Sequence, residues 1–218
     1  MNVGEIKTRV KRAFGDESGV QIDDTDLIRY INDAQMEIAK ENEGLFEASA
    51  VSASVAGQAE YSLPVDTLIF RSLSYKAPGE VAYTQLKGYS INEFNEYIGS
   101  WDGNTSRNGT PICYMIFANK ITLFFPPDHN LAAAMKIYYN RKPILVASDV
   151  DIPELPEVYH PTIVRMCLAY AYEMDEDWDA VGAKGQQIAG DLRVLRGRDD
   201  WKEEATYPTI TVLAEDQW

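Results

Sequence analysis

Histidine and cysteine are both scarce in this chain: it has two of each in 218 residues. Neither His129 nor His160 has a second His or a Cys at ligand spacing, so no zinc-type metal site is expected. Cys113 and Cys167 sit inside apolar runs and read as buried free thiols, not as a disulfide framework. There is no Gly-rich phosphate cradle. Gly182-Ala183-Lys184-Gly185 lacks the Walker spacing and lies in a helical stretch, not after a strand. There is no G-x-S-x-G elbow, and no Ser pairs with either His. The residues therefore offer no catalytic set and no cofactor site, and no enzyme is expected. No apolar run approaches the roughly 20 residues of a membrane span. The opening stretch, residues 1–16, intersperses charges and does not read as a secretory leader. Basic residues are the minority: 20 against 34 acidic ones, a formal charge of -14. A surface that grips phosphate needs clustered Lys and Arg, so tight DNA binding is disfavoured.

What is present is patterning. Val3, Ile6, Val10 and Ala13/Phe14 recur at helical spacing up to Gly15-Asp16. Asp24 or Thr25 is placed to cap a second helix over about 25–42, with Leu27, Ile28, Ile31, Ala34, Ile38 and Ala39 on one side. From about 47 the period shortens. Residues 49–55, 60–64, 68–75 and 80–86 read as strands, the first two as a hairpin about Gly57-Gln58. Ser90 caps a short helix, residues 101–111 are turn formers, and 112–118, 120–125 and 135–141 are further strands. Pro161 opens a strongly apolar helix to about Met174, and His160 reads as a helix-start residue that bonds a nearby backbone group. The acidic elbow DEDWD leads into a last helix, about 178–198, striped by Val181, Ile188, Leu192 and Leu195. The fold class this implies is α+β: a helical bundle formed by N- and C-terminal helix pairs, with an inserted antiparallel β domain. Its parts are residues 1–46 and 150–202 for the bundle, 47–149 for the β domain with one short helix, and 203–218 as a C-terminal extension.

The motifs then occur in a familiar order. RVKRAFGD from Arg9, DLIRYINDAQMEIA from Asp26 and GQAEYSLPVD from Gly57 come first; PICY from Pro111, ITLFFPP from Ile121, IYYNRKP from Ile137 and DIPELPEVYH from Asp151 follow. The series resembles phage head-to-tail adaptor (connector) proteins of the podovirus type and is similar to the tail tubular protein A group. The resemblance implies a virion protein assembled in the host cytoplasm. It would form a ring, dodecameric in that family, beneath the portal protein. The ring would carry the tail nozzle and leave a channel for double-stranded DNA. It also implies a portal contact through the C-terminal extension, here Tyr207, Thr209, Ile210, Val212 and Trp218. A closed ring joins unlike faces of neighbouring copies. Lys7, Lys11 and Arg12 on the first helix and Asp175, Glu176 and Asp177 at the elbow are candidates for such faces. A stopper ring of the same neck, a DNA-packaging accessory protein and a hydrolase using the acidic elbow are the rival readings.

Overall fold

The computed structural model describes residues 1–42, 44–98 and 108–203, with the backbone alone at 94, 97, 98 and 197–203. The chain divides into two compact units. One is Met1–Gly44 together with the chain from Pro143 on; the other is Leu45–Lys142. Both helical and strand segments are present, in a mixed α+β chain with five α-helices and two sheets among the described residues.

In the first unit α1 (Val3–Phe14) begins at Asn2, whose side chain accepts from the Glu5 N–H while Glu5 reaches back to the Asn2 N–H. This reciprocal cap satisfies two amides that the first turn leaves free. Gly15 ends the helix at φ 93°, a conformation open to glycine at little cost. α2 (Asp24–Glu41) is capped by Asp23, not by the expected Asp24 or Thr25. The reason is competition: the Asp24 carboxylate is already held by Lys7 and Lys11. α4 (His160–Met174) packs against α1, α2 and α5 (Trp178–Glu203). It therefore buries residues on several sides, among them Thr162, Ile163, Met166, Cys167, Leu168 and Ala171.

The second unit holds eight strands: β1 (Glu47–Ser54), β2 (Glu60–Ser62), β3 (Thr67–Tyr75), β4 (Thr84–Gln85), β5 (Lys87–Tyr89), β6 (Cys113–Phe117), β7 (Lys120–Phe124) and β8 (Leu131–Arg141). A short helix, α3 (Ile91–Ile98), lies between β5 and β6. The sheets run β1-β8-β3-β4 and β2-β7-β6-β5. The hairpin expected between residues 49–55 and 60–64 does not form. β1 pairs with β8 and β2 with β7. The turn at Gly57 exists (φ 78°), but its N–H goes to Pro127, and it carries the chain from one sheet to the other. The strand expected over 80–86 shrinks to Thr84–Gln85. One pairing is parallel, β5 with β6, because the connection through α3 returns the chain in the same direction. β6 and β7 do form a tight hairpin, with Ala118 and Asn119 both at positive φ, as a two-residue turn demands. Tyr61, Leu73, Tyr114, Ile121, Leu123, Met135 and Ile137 come from both sheets and build one apolar core.

Candidate interaction surfaces

On α1 the spacing of four and three puts Lys7 in the buried stripe with Val3 and Val10. Its side chain is only 7% exposed, and the ammonium meets Asp149 at 2.7 Å and Asp24 at 3.3 Å. Burial pulls the Lys7 pKa down, but the hydrogen bonds to Asp149 and Asp24 outweigh it and hold the pKa above the ordinary value. Lys11 donates to Asp24 at 2.6 Å. Chiefly through that bond, the Asp24 carboxyl is held below its usual range. Two of the three basic residues taken as ring contacts are thus occupied inside the unit. Arg12 is different: it is 74% exposed, with Glu17 at 3.7 Å. Arg9 is exposed as well.

The elbow residues Asp175, Glu176 and Asp177 are exposed. Asp177 starts α5 by accepting from the Ala180 N–H at 3.1 Å, and Glu176 takes a positive φ of 59°. Met174 and Trp178 beside them are 74% and 63% exposed. Phe14 lies 5.2 Å from Tyr172, so the end of α1 and the end of α4 share one end of the unit. Among the described residues no group of three or more His, Cys, Asp or Glu stands close enough to hold a metal ion.

One polar clamp shows in the sequence only as a motif. Asn32 of α2 bonds both backbone groups of Val146, accepting from its N–H at 2.9 Å and donating to its C=O at 3.0 Å. One turn on, the fully buried Gln35 donates to Asn32 and accepts from the Glu154 N–H at 3.1 Å. N-D-A-Q on α2 therefore straps the segment that leads into α4. That segment also takes the Val3 and Gly4 amides on its Asp151 and Asp149 carbonyls. His160, 1% exposed, closes the strap: Nε2 donates to the Leu155 carbonyl at 2.9 Å, and Nδ1 accepts from the Met1 amino group at 2.8 Å. Burial pushes the His160 pKa down, which favours the neutral ring.

Among the described residues two surfaces lack a partner. A groove of about 550 Å³ runs between α2, α4 and α5, floored by Met166, Ala169, Ile188 and Leu192. Tyr170 closes one side by donating to Glu37 at 2.7 Å, and Arg196 caps the last carbonyl of α2 at Glu41. The other is an edge. β1 is eight residues long and bonded on one side only; the remaining edge strands, β2, β4 and β5, have three, two and three residues.

The SU10 adaptor protein family matches residues 1–211. The chain belongs to the SU10 adaptor protein family. A search of the curated proteins found no match. Membership bears out the coarse part of the sequence resemblance, a phage adaptor acting as a structural protein of the virion; it says nothing of the tail tubular protein A group. No helix among the described residues is long and apolar enough to cross a membrane. Both cysteines of this SU10-type adaptor are free and buried. Its C-terminal residues Tyr207, Thr209, Ile210, Val212 and Trp218 lie outside the described residues.

Proposed function

We propose that this adaptor assembles as a ring, a dodecamer by family resemblance, that docks beneath the portal protein. The ring joins the portal to the tail nozzle and leaves a channel for genome passage. The helix pairs at the two ends of the chain act as one bundle in each subunit, and the β unit is inserted between them. The observation that carries this reading is the family match over residues 1–211. The charge of -14 supports it, since an acidic passage lets DNA slide without adhering. The C-terminal residues Tyr207, Thr209, Ile210, Val212 and Trp218 make the portal contact.

Purified protein mixed with the cognate portal protein and imaged should show a closed ring beneath the portal. A protein that stays solitary in that mixture overturns the proposal. Of the charged candidates for the contact between copies, Lys7 and Lys11 are held by Asp24 and Asp149, and the exposed Arg12 is the one that faces Asp175, Glu176 and Asp177 of a neighbour. Reversing Lys11 and Arg12 to Glu should hinder ring formation, and reversing the elbow to Lys should restore it. Because Lys11 also holds Asp24, Arg12→Glu alone is the cleaner variant. Unchanged assembly of Arg12→Glu rules the charged contact out.

A further inference from the structure

The open edge of β1 has an identifiable address for its hydrogen bonds. The Phe46 carbonyl accepts from the Arg141 N–H at 3.0 Å, in register with Glu47 opposite Asn140. In an antiparallel ladder, bonded and non-bonded positions alternate. Ala48, Ala50 and Ser52 therefore spend their main-chain groups on β8. Glu47, Ser49 and Val51 present theirs outward. The pairing with β8 runs regularly from Glu47 to Ser52 and is disturbed only between Ser52 and Ser54. That leaves six residues of straight edge, with no Lys and no Pro on it, and Glu47 as its sole charge. Such an edge is a template for another strand unless something covers it. The face beside it is underfilled too. Ala48 and Ala50 are only partly buried against the apolar core of the unit, and they are too small to seal it.

The chain itself carries a segment with the matching pattern. From Ala205 to Ala214 there is no charged residue, and after Pro208 the order is Thr-Ile-Thr-Val-Leu-Ala. This run of β-branched residues alternates with a period of two. Its residues Thr209–Leu213 are long enough to span the edge from Val51 back to Glu47. We propose that in the ring Thr209–Ala214 of a second copy of this chain adds antiparallel to β1. Thr211 lies opposite Ser49 and Thr209 opposite Val51 as hydrogen-bonded pairs. Ile210 and Val212 then fall on the face of Ala50 and Ala48 and seal the core there. A donor segment on one subunit and an acceptor edge on the next are unlike surfaces, the type of contact that closes into a ring. This inference rests on the ring reading. It divides the C-terminal residues between two contacts: Ile210 and Val212 go to the neighbouring copy, and Tyr207, Thr209 and Trp218 are left for the portal.

The test uses full-length chains. Ser49→Cys and Thr211→Cys are made as separate variants, mixed, assembled on the cognate portal protein and oxidised. Paired residues of this kind have Cα atoms about 5.5 Å apart, within disulfide reach. A disulfide joining the two unlike chains is the expected result. Its absence in assembled rings overturns the proposal, as does a Ser49→Cys/Thr211→Cys double variant that closes only within one chain. Ser49→Pro gives a second readout. It removes an outward N–H without touching the β8 ladder, a position where an edge strand tolerates proline. Its free form should keep the wild-type urea midpoint while complete rings fall about tenfold, the worth of one well-made hydrogen bond and its neighbours. Wild-type yield of rings from Ser49→Pro sinks the strand addition and leaves the ring reading standing. Failure of the unmodified chain to form rings sinks both.

Discussion

Replacing Asn32 by Ala removes two hydrogen bonds to one backbone residue at once. Val146, which they hold, is 6% exposed, so water does not replace the lost partner of its N–H freely. Each intramolecular bond contributes a net of about 1 kcal/mol, and an amide left unpaired adds a penalty of roughly 1 kcal/mol or more. Against this, Ala gains about 0.6 kcal/mol over Asn as a helix former. The expected loss in the helical unit is therefore about 2–3 kcal/mol, a large part of a typical domain stability of roughly 5–15 kcal/mol. Two measurements check it: the urea midpoint of the helical signal, and exchange of the Val146 amide. The amide should exchange at least about tenfold faster, since each 1.4 kcal/mol is a decade. Asn32→Asp keeps the acceptor and loses the donor, so it should fall between Ala and the wild type. A loss below about 0.5 kcal/mol, or an unchanged Val146 amide, would refute the claim that this side chain straps the segment.

Lys7→Ala should destabilise the helical unit by about 1–2 kcal/mol. The lysine side chain is buried, but Asp24 and Asp149 are more than half exposed and water screens what they lose. Arg12→Ala, on the open side of the same helix, should change stability by under about 0.5 kcal/mol in the same urea titration. Stability should also fall with pH in two stages. His160 has a folded pKa below its unfolded value, so the unfolded chain binds the extra proton and stability declines as pH drops below about 6.5. Asp24 is depressed by Lys11 and Lys7, and Asp16 by the backbone amides of Ile22, Val20 and Gln21. Their contribution is whole above the ordinary carboxylate range and is lost as pH falls through the depressed values. Urea midpoints at about pH 8, 5.5 and 3 should descend in that order, and a flat profile between the first two would remove His160 from the account.

The elements were more legible than their partners. Helical spacing, the Gly15 stop and Pro161 fixed α1 and α4 because each signal acts within a few residues of itself. Strand positions were readable for the same reason, since alternation along 68–75 or 120–125 is a property of the segment. Pairing is not. Nothing in residues 49–55 distinguishes β2 from β8 as a neighbour, and a turn at Gly57 looks the same whether it closes a hairpin or changes sheets. The site shows the same division. Lys7 reads as a surface cation only while its neighbours are ignored; Val3, Lys7, Val10 and Phe14 recur at four, three and four, so its stem was always on the apolar stripe. Given that burial, a carboxylate from elsewhere had to meet it, and Asp24 does so at the cost of its own role as a cap, which passes to Asp23. The N-cap of α2 is thus decided by a lysine 16 residues earlier in the chain, through a contact that no local pattern encodes.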